Sequence, residues 1–199
     1  MDWVGNKSSI YKTIGASNHT DEEREQDDYY ATDPVAIDKL LEAVEIPRCV
    51  WECACGGGHL SKRLIEHKKH VISTDLKERG YDHGWGGVDF LKTQINPFVE
   101  RCAIITNPPY KYATEFVYHA MELLKDGDMC CMFLKLTFLE GKARRELFKK
   151  YPPEKVLVFS ERVKCAKNAE FEKVQSSAVA YAWYVWKKGY CEKPTIDWI

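Results

Sequence analysis

The chain has 199 residues, of which 45% are hydrophobic and 13% aromatic, and its formal net charge is −1. The length fits one domain, and the composition excludes a mainly disordered chain. No apolar run reaches the roughly 18 residues of a membrane-spanning helix, and the N-terminal residues lack the apolar segment of a signal peptide. We therefore expect a cytoplasmic protein that does not bind a membrane.

Charge is distributed unevenly along the chain. Residues 1–34 contain eight acidic and three basic residues, whereas residues 141–193 contain thirteen basic and six acidic ones. The first stretch predicts an acidic N-terminal arm over residues 1–28, ahead of a folded domain over residues 29–199. The basic stretch either faces a polyanion such as nucleic acid or is an ordinary solvated surface, and charge alone leaves both interpretations open.

Strands and helices alternate along the sequence. Asp33 and Pro34 predict the start of a helix, whose apolar stripe ends before Pro47. The elements predicted after it are a strand over 49–55, a helix over 59–69, a strand over 70–76, a loop over 77–93, a strand over 102–106, a helix over 116–124, a strand over 129–136, a basic helix over 142–150, and strands over 156–159 and 178–186. Continuously apolar strands between helices predict a mostly parallel α/β sheet with helices on both faces.

A glycine-rich turn joins the first of these strands to the next helix, with the pattern Glu52-x-Ala54-x-Gly56-x-Gly58. Glycines allow a ligand to approach the backbone, and a helix N-terminus offers free N–H groups. Asp75, at the end of the following strand, can accept hydrogen bonds from both hydroxyls of a ribose. Because no Gly-Lys-Ser/Thr follows, the pattern predicts a nucleoside-binding unit rather than a phosphate loop.

Two later motifs suit a planar base. Asp89 can pair with an adenine amino group, and the neighbouring Phe90 can stack on its ring. The segment Asn107–Tyr110 reads Asn-Pro-Pro-Tyr and stands between a buried strand and a helix. The prolines fix the backbone, while the asparagine offers a carbonyl and the tyrosine an aromatic face. We interpret this segment as a clamp for a planar group that carries an amino nitrogen.

Eight cysteines are present without any Cys-x-x-Cys pair. Cys53 and Cys55, together with His59, could suggest a zinc site, but their spacing differs from that of common structural zinc sites. We therefore predict reduced, buried thiols and no metal.

The order of these motifs resembles that of the S-adenosylmethionine-dependent amino-methyltransferases, and it is most similar to the small DNA N6-adenine methyltransferases of phages and prophages. The resemblance covers residues 30–136. It implies a Rossmann-like class I methyltransferase fold with a mostly parallel, seven-stranded sheet. Asn107 heads the clamp, where cytosine-N4 enzymes of the family usually carry serine, so the resemblance also implies adenine as the target.

The resemblance assigns roles to individual residues. The residues that it places against S-adenosylmethionine are Tyr30, Thr32, Asp33, Glu52, Ala54, Gly56, Gly58, Asp75, Asp89, Phe90 and Asn107. The catalytic clamp that it implies consists of Asn107, Pro108, Pro109 and Tyr110. Ala54 departs from the family pattern, which has phenylalanine there, and no segment is long enough for a separate target-recognition domain. We therefore expect a short or relaxed recognition sequence.

Three functions remain open from the sequence. The first is methylation of adenine N6 in duplex DNA, with the base flipped out of the helix. The second is methylation of RNA adenine or of a protein glutamine. The basic stretch 141–173 argues against glutamine as the target. The third is a non-catalytic nucleoside-binding module, against which the intact Asn107–Tyr110 segment argues. The residues predicted to contact nucleic-acid phosphates are Lys142, Arg145, Lys149, Arg162, Lys164 and Lys167.

Overall fold

The computed structural model of the protein describes residues 30–167, residue 171 and residues 179–199. The strands are β1 (Tyr30–Thr32), β2 (Cys49–Glu52), β3 (His70–Thr74), β4 (Gly84–Trp85), β5 (Cys102–Thr106), β6 (Met129–Lys135), β7 (Lys155–Val158), β8 (Cys165–Lys167), β9 (Tyr181–Lys187) and β10 (Thr195–Trp198). The α-helices are α1 (Val35–Ala43), α2 (His59–Glu66), α3 (Ala113–Leu123) and α4 (Lys142–Lys150). Short 3-10 helices cover Phe90–Lys92, Tyr110–Tyr112 and Leu136–Leu139. The predicted acidic arm over residues 1–28 lies outside the described residues.

The main sheet has eight strands in the described part of the chain, in the order β4-β3-β2-β5-β6-β9-β7-β10. All neighbours pair in parallel except β9, which runs antiparallel to both β6 and β7. This confirms the predicted mostly parallel α/β sheet. The residue patterns predicted six of these strands, and the family resemblance implied seven. The two that were not predicted are β4, which lies within the predicted loop over 77–93, and β10, which pairs with β7 at the edge. All four residues of β10 are exposed, and the strand is too short for its two alternating apolar residues, Ile196 and Trp198, to predict it.

Helices cover both faces of this sheet, as predicted. On one face, Leu40 of α1 and Leu64 of α2 pack into a core with Phe133 of β6. On the other face, Val117 of α3 and Leu147 of α4 belong to a second core. Strands buried on both faces have apolar side chains in both directions, which is why β6 and β9 appear as continuous apolar runs in the sequence. No helix within the described ranges is long and apolar enough to cross a membrane.

A separate two-stranded sheet joins β1 to β8 in antiparallel pairing. Tyr30 lies opposite Lys167, and Thr32 lies opposite Cys165. The pairing continues beyond the strands, since the Asp33 N–H donates to the Lys164 carbonyl at 3.0 Å. The sequence analysis did not predict either strand. Together they hold the segment before α1 against a segment more than 130 residues later, close to the carboxyl ends of the parallel strands.

Candidate active site

A cavity of about 580 Å³ lies where the parallel strands β2, β3 and β5 end. Carboxyl ends of parallel strands are the usual location of ligand sites in open α/β sheets, and this volume is within the range of small-molecule pockets. Strand β1 and the 3-10 helices Phe90–Lys92 and Tyr110–Tyr112 supply further parts of the wall. The predicted site residues that line the cavity are Tyr30, Thr32, Glu52, Ala54, Asp75, Asp89, Phe90, Asn107, Pro109 and Tyr110.

The other four predicted residues stand behind this wall. Asp33 accepts a hydrogen bond from the Val35 N–H at 3.0 Å and so caps the start of α1, as the sequence suggested. Pro108 is buried beside Asn107. Gly56 borders a smaller adjoining hollow of about 220 Å³, and Gly58 lines neither space.

The local backbone conformation and packing explain why the turn contains glycines. Gly56 has a φ of 53° and Gly58 a φ of 75°, in the left-handed region that side chains disfavour. A Cβ on Gly58 would lie 2.5 Å from the Tyr81 ring. The turn therefore needs glycine at residue 58 in order to pack against Tyr81, whether or not a ligand is bound.

The Asp75 carboxylate is tied to the glycine turn. Its Oδ2 accepts a hydrogen bond from the Gly56 N–H at 2.8 Å, and its Oδ1 accepts one from the Lys77 N–H at 2.9 Å. Arg79 Nε lies 3.8 Å from the same Oδ1, and both of these side chains are largely buried. These contacts fix the carboxylate at the cavity wall. Because each carboxylate oxygen can accept more than one hydrogen bond, Asp75 retains capacity for ligand hydroxyls.

Glu52 is a buried carboxyl group at the end of β2, with 2% of the residue exposed. The Ser61 hydroxyl hydrogen-bonds to its Oε2, and Ser61 Oγ lies 2.6 Å from Ser73 Oγ. Burial raises the pKa of Glu52 to about 8, against the opposing effect of the Ser61 hydrogen bonds, and the nearby Asp75 raises it slightly further. The protonated form of Glu52 therefore dominates at neutral pH.

Asp89 and Phe90 line the cavity and also have structural partners. Asp89 Oδ1 accepts from the Leu91 N–H at 3.1 Å, and its Oδ2 lies 3.0 Å from the Lys92 ammonium. The Phe90 ring packs edge-on against Trp51, with 5.2 Å between the ring centroids. Asp89 therefore caps a 3-10 helix and Phe90 packs in the core, while both also contribute to the cavity wall.

Asn107 has a buried acceptor that no described residue satisfies. Its Nδ2 donates to the Tyr30 carbonyl at 3.1 Å and to Thr32 Oγ1 at 2.8 Å, while its Oδ1 is buried and has no hydrogen-bond partner in the described ranges. The Tyr30 carbonyl can only accept, so the amide orientation is determined. An unpaired buried acceptor is costly, and Asn107 lines the cavity, so its Oδ1 is the acceptor of this wall that a donor group could stabilise.

Tyr110 begins the 3-10 helix after the two prolines. The Lys135 ammonium lies 4.8 Å from the centroid of its ring, and the Tyr181 ring lies 6.1 Å from it, centroid to centroid. Burial raises the pKa of the Tyr110 hydroxyl. The sequence suggested an exposed aromatic face here, whereas in the structure a cation covers part of the ring.

No protein-family model and no curated protein matches the chain, but solved structures resemble its fold. One is a protein assigned as a class I S-adenosylmethionine-dependent methyltransferase from Listeria monocytogenes, with a TM-score of 0.58 and 12% identity over 97% of this chain and 72% of that chain. Another is assigned as a modification subunit of a type I restriction enzyme from Vibrio vulnificus, with a TM-score of 0.58 and 15% identity over 96% of this chain and 51% of that chain. A third is the 23S rRNA methyltransferase ErmE, with a TM-score of 0.55 and 18% identity over 80% of this chain and 70% of that chain.

The chain has the Rossmann-like class I methyltransferase fold. At this level of identity the similarity concerns the fold alone. The predicted fold class is thereby confirmed.

The methyltransferase fold brings further residues to the cavity that the sequence analysis did not select for a nucleoside site. These are chiefly His59, Leu76, Arg79, Lys111 and Tyr112. Leu76 is 55% exposed and directly follows Asp75, so its place next to a motif residue could have predicted that it lines the cavity. Arg79 comes from a glycine-rich loop without periodicity, and only the folded chain places it beside Asp75.

The residues predicted to contact phosphates have different surroundings. Lys142, Arg145 and Lys149 are exposed on α4, and the Lys149 ammonium lies 2.8 Å from the Glu146 carboxylate. Arg162 is exposed, while the Lys164 backbone is bound to Asp33 next to β1. The backbone of Lys167 pairs with Tyr30, and its side chain lies outside the described part of the chain.

Replacing Gly58 with alanine should lower the free energy of unfolding by more than the about 1–2 kcal/mol that a left-handed backbone costs a non-glycine residue. The added Cβ meets the Tyr81 ring in addition. Gly87→Ala is a matched control, because Gly87 has the same φ of 75° and no atom within 4 Å of the added Cβ. Denaturant unfolding measures both variants, and equal losses would contradict the proposed contact.

Glu52→Gln should become progressively more stable than the wild type as the pH rises from 5 to 8. In the unfolded wild type the carboxyl ionises near 4.5, whereas in the folded protein it holds its proton to about pH 8. Raising the pH through this window therefore favours the unfolded wild type, and the effect levels off above pH 8. Glu122→Gln, on the exposed side of α3, controls for the loss of one carboxylate. A stability difference between wild type and Glu52→Gln that does not vary with pH would refute the assignment.

Proposed function

We propose that this protein transfers a methyl group from S-adenosylmethionine to the N6 amino group of adenine in DNA. The observation that carries this proposal is the buried, unpartnered Oδ1 of Asn107 in the wall of a nucleoside-sized cavity. The fold supports methyl transfer in general. The structural similarity to a restriction-enzyme modification subunit and to an rRNA methyltransferase supports nucleic acid as the acceptor.

The cavity is suited to a nucleoside cofactor that carries positive charge. Its wall includes the carboxylates of Asp75 and Asp89, which favour a sulfonium and an ammonium group. Asp75 would receive the ribose hydroxyls, and Phe90 with Asp89 would receive the adenine. Bound S-adenosylmethionine supplies a methyl group on a sulfur that leaves with the bonding electron pair.

The chemistry that remains for the protein is to make an amino nitrogen nucleophilic. The lone pair of an adenine amino group is delocalised into the ring. Asn107 Oδ1 and the Pro108 carbonyl would each accept a hydrogen bond from one N–H of this amino group. These two hydrogen bonds favour a pyramidal nitrogen, whose lone pair is no longer delocalised into the ring. A nitrogen held in this way would attack the methyl carbon, the sulfur would take the electron pair of the carbon–sulfur bond, and the methylated nitrogen would lose a proton to solvent. Positioning and hydrogen bonding supply most of this catalysis, so no strong base is needed.

The target adenine has to leave the duplex in order to reach Asn107. Tyr110 is the aromatic residue of the clamp and lies in the cavity wall, and stacking on a flipped base is worth about 1–3 kcal/mol. The Lys135 ammonium lies over the Tyr110 ring, so it would have to move aside or remain on one face of the ring while the base stacks on the other.

Methylation of RNA adenine is the second candidate. The observation that favours it is the similarity to the 23S rRNA methyltransferase, which has the highest sequence identity of the three structures compared above. Asn107 and Tyr110 suit adenine in either polymer, because both contact the base rather than the sugar in this proposal.

Cells that express the wild-type protein should contain N6-methyladenine in their DNA, and cells that express Asn107→Ala should contain almost none. The Asn107 carbonyl acts on the transferring nitrogen, so the substitution should reduce turnover while leaving the affinity for S-adenosylmethionine nearly unchanged. Nucleoside mass spectrometry of DNA and RNA gives the product, and titration calorimetry gives the affinity.

The outcomes of this experiment separate the candidates. Methylated adenine in RNA alone, or methylated glutamine in protein, would keep the methyltransferase and reject DNA as its acceptor. Binding of S-adenosylmethionine without any methylated product would favour a nucleoside-binding module. Absence of both binding and product would reject the proposal altogether.

The double variant Lys142→Glu with Arg145→Glu should bind DNA more weakly and with a shallower salt dependence. Each lost phosphate contact should reduce the slope of log affinity against log salt by about 0.9. Lys39→Glu with Arg48→Glu changes the net charge equally, on α1 and at the amino end of β2. Filter binding over a salt series compares the two, and equal slopes would place the nucleic-acid surface elsewhere.

A further inference from the structure

The amide of Asn107 could occupy its site in two orientations of nearly the same shape. Rotating the amide by 180° exchanges Oδ1 with Nδ2, and only the first orientation directs an acceptor toward a substrate amino group. The reverse orientation would direct an NH2 group at that amino group, donor against donor. Catalysis at this clamp therefore depends on what selects the orientation.

Strand β1 provides the selection. The Tyr30 carbonyl and Thr32 Oγ1 both accept from Asn107 Nδ2, at 3.1 and 2.8 Å. In the reverse orientation Asn107 Oδ1 would face the Tyr30 carbonyl, acceptor against acceptor. The Tyr30 carbonyl can only accept and therefore sets the orientation, whereas the Thr32 hydroxyl adds a second hydrogen bond that holds the amide in it. The Thr32 hydroxyl is the partner that mutation can remove.

Thr32 is held firmly enough to perform this task. It is 2% exposed and lies opposite Cys165 in the β1–β8 pair. Neither strand belongs to the main sheet, which supplies Asn107 at the end of β5. The small sheet thus brings a fixed acceptor to an amide that is 75 residues away in the chain.

We infer that Thr32 is a positioning residue for methyl transfer, whose hydroxyl oxygen holds the Asn107 NH2 group so that Asn107 Oδ1 stays directed at the acceptor nitrogen. This inference rests on the proposed function and gives Thr32 a role other than the cofactor contact that the family resemblance implies. Thr32 acts through Asn107 and touches no reacting atom.

Three variants test the inference. Thr32→Val keeps the shape and removes the hydroxyl, and Thr32→Ser keeps the hydroxyl. Thr106→Val is the matched control, because Thr106 is fully buried beside Asn107 and its hydroxyl has no hydrogen-bond partner among the described residues. It makes the same chemical change one residue from Asn107 without removing a bond to the amide.

Thr32→Val should lower kcat about three- to tenfold, the range for loss of one hydrogen bond, while KM for S-adenosylmethionine stays within about twofold. Thr32→Ser should restore kcat. NMR should show faster exchange with water of the Asn107 side-chain amide protons in Thr32→Val than in wild type or Thr106→Val, because one N–H has lost its acceptor.

Equal kcat and equal amide exchange in Thr32→Val and Thr106→Val would overturn the inference, and so would a failure of Thr32→Ser to restore kcat. If the wild type transfers no methyl group to DNA, RNA or protein, the proposed function fails by itself. The amide exchange still decides in that case whether Thr32 orients Asn107, since that measurement needs no substrate.

Discussion

The parallel alignment of β2, β3 and β5 is the constraint on which the candidate site depends. Parallel neighbours end at the same edge of a sheet, so the residues that follow them become neighbours in space. Glu52, Asp75 and Asn107 stand at or just after these three ends and line one cavity. The helices on both faces bury the strands and hold this edge in place.

The same edge concentrates polar groups that are unfavourable in the folded protein alone. Glu52 is buried with a raised pKa, and Asn107 Oδ1 is buried without a partner among the described residues. Such groups lower stability, and apolar side chains elsewhere in the two cores offset that cost. Asp75 is better satisfied, because the glycine turn donates to it. The turn and the acid therefore form one unit, in which the backbone fixes the carboxylate before any ligand arrives.

Several elements escaped prediction for identifiable reasons. β10 has only four residues and is exposed at every position, so its sequence is too short to predict a strand by pattern. β1 and β8 are three residues each and pair across more than 130 residues, and a local pattern contains no information about such a partner. Gly58 was interpreted as making room for a ligand, whereas its contact is with Tyr81, a residue of the following loop.

The sequence by itself determined the alternation of strands and helices, the mostly parallel sheet and the motif residues at its edge, because burial on two faces and sharp strand-to-helix turns leave local patterns of apolar, glycine and proline residues. Only the tertiary structure decided which polar atoms of those residues already have hydrogen-bond partners in the protein and which can still bind a ligand. The orientation of the Asn107 amide depends on Tyr30 and Thr32, which lie 77 and 75 residues away in the chain. Only the folded chain brings such distant residues together, so their hydrogen bonds leave no periodic signal in the sequence.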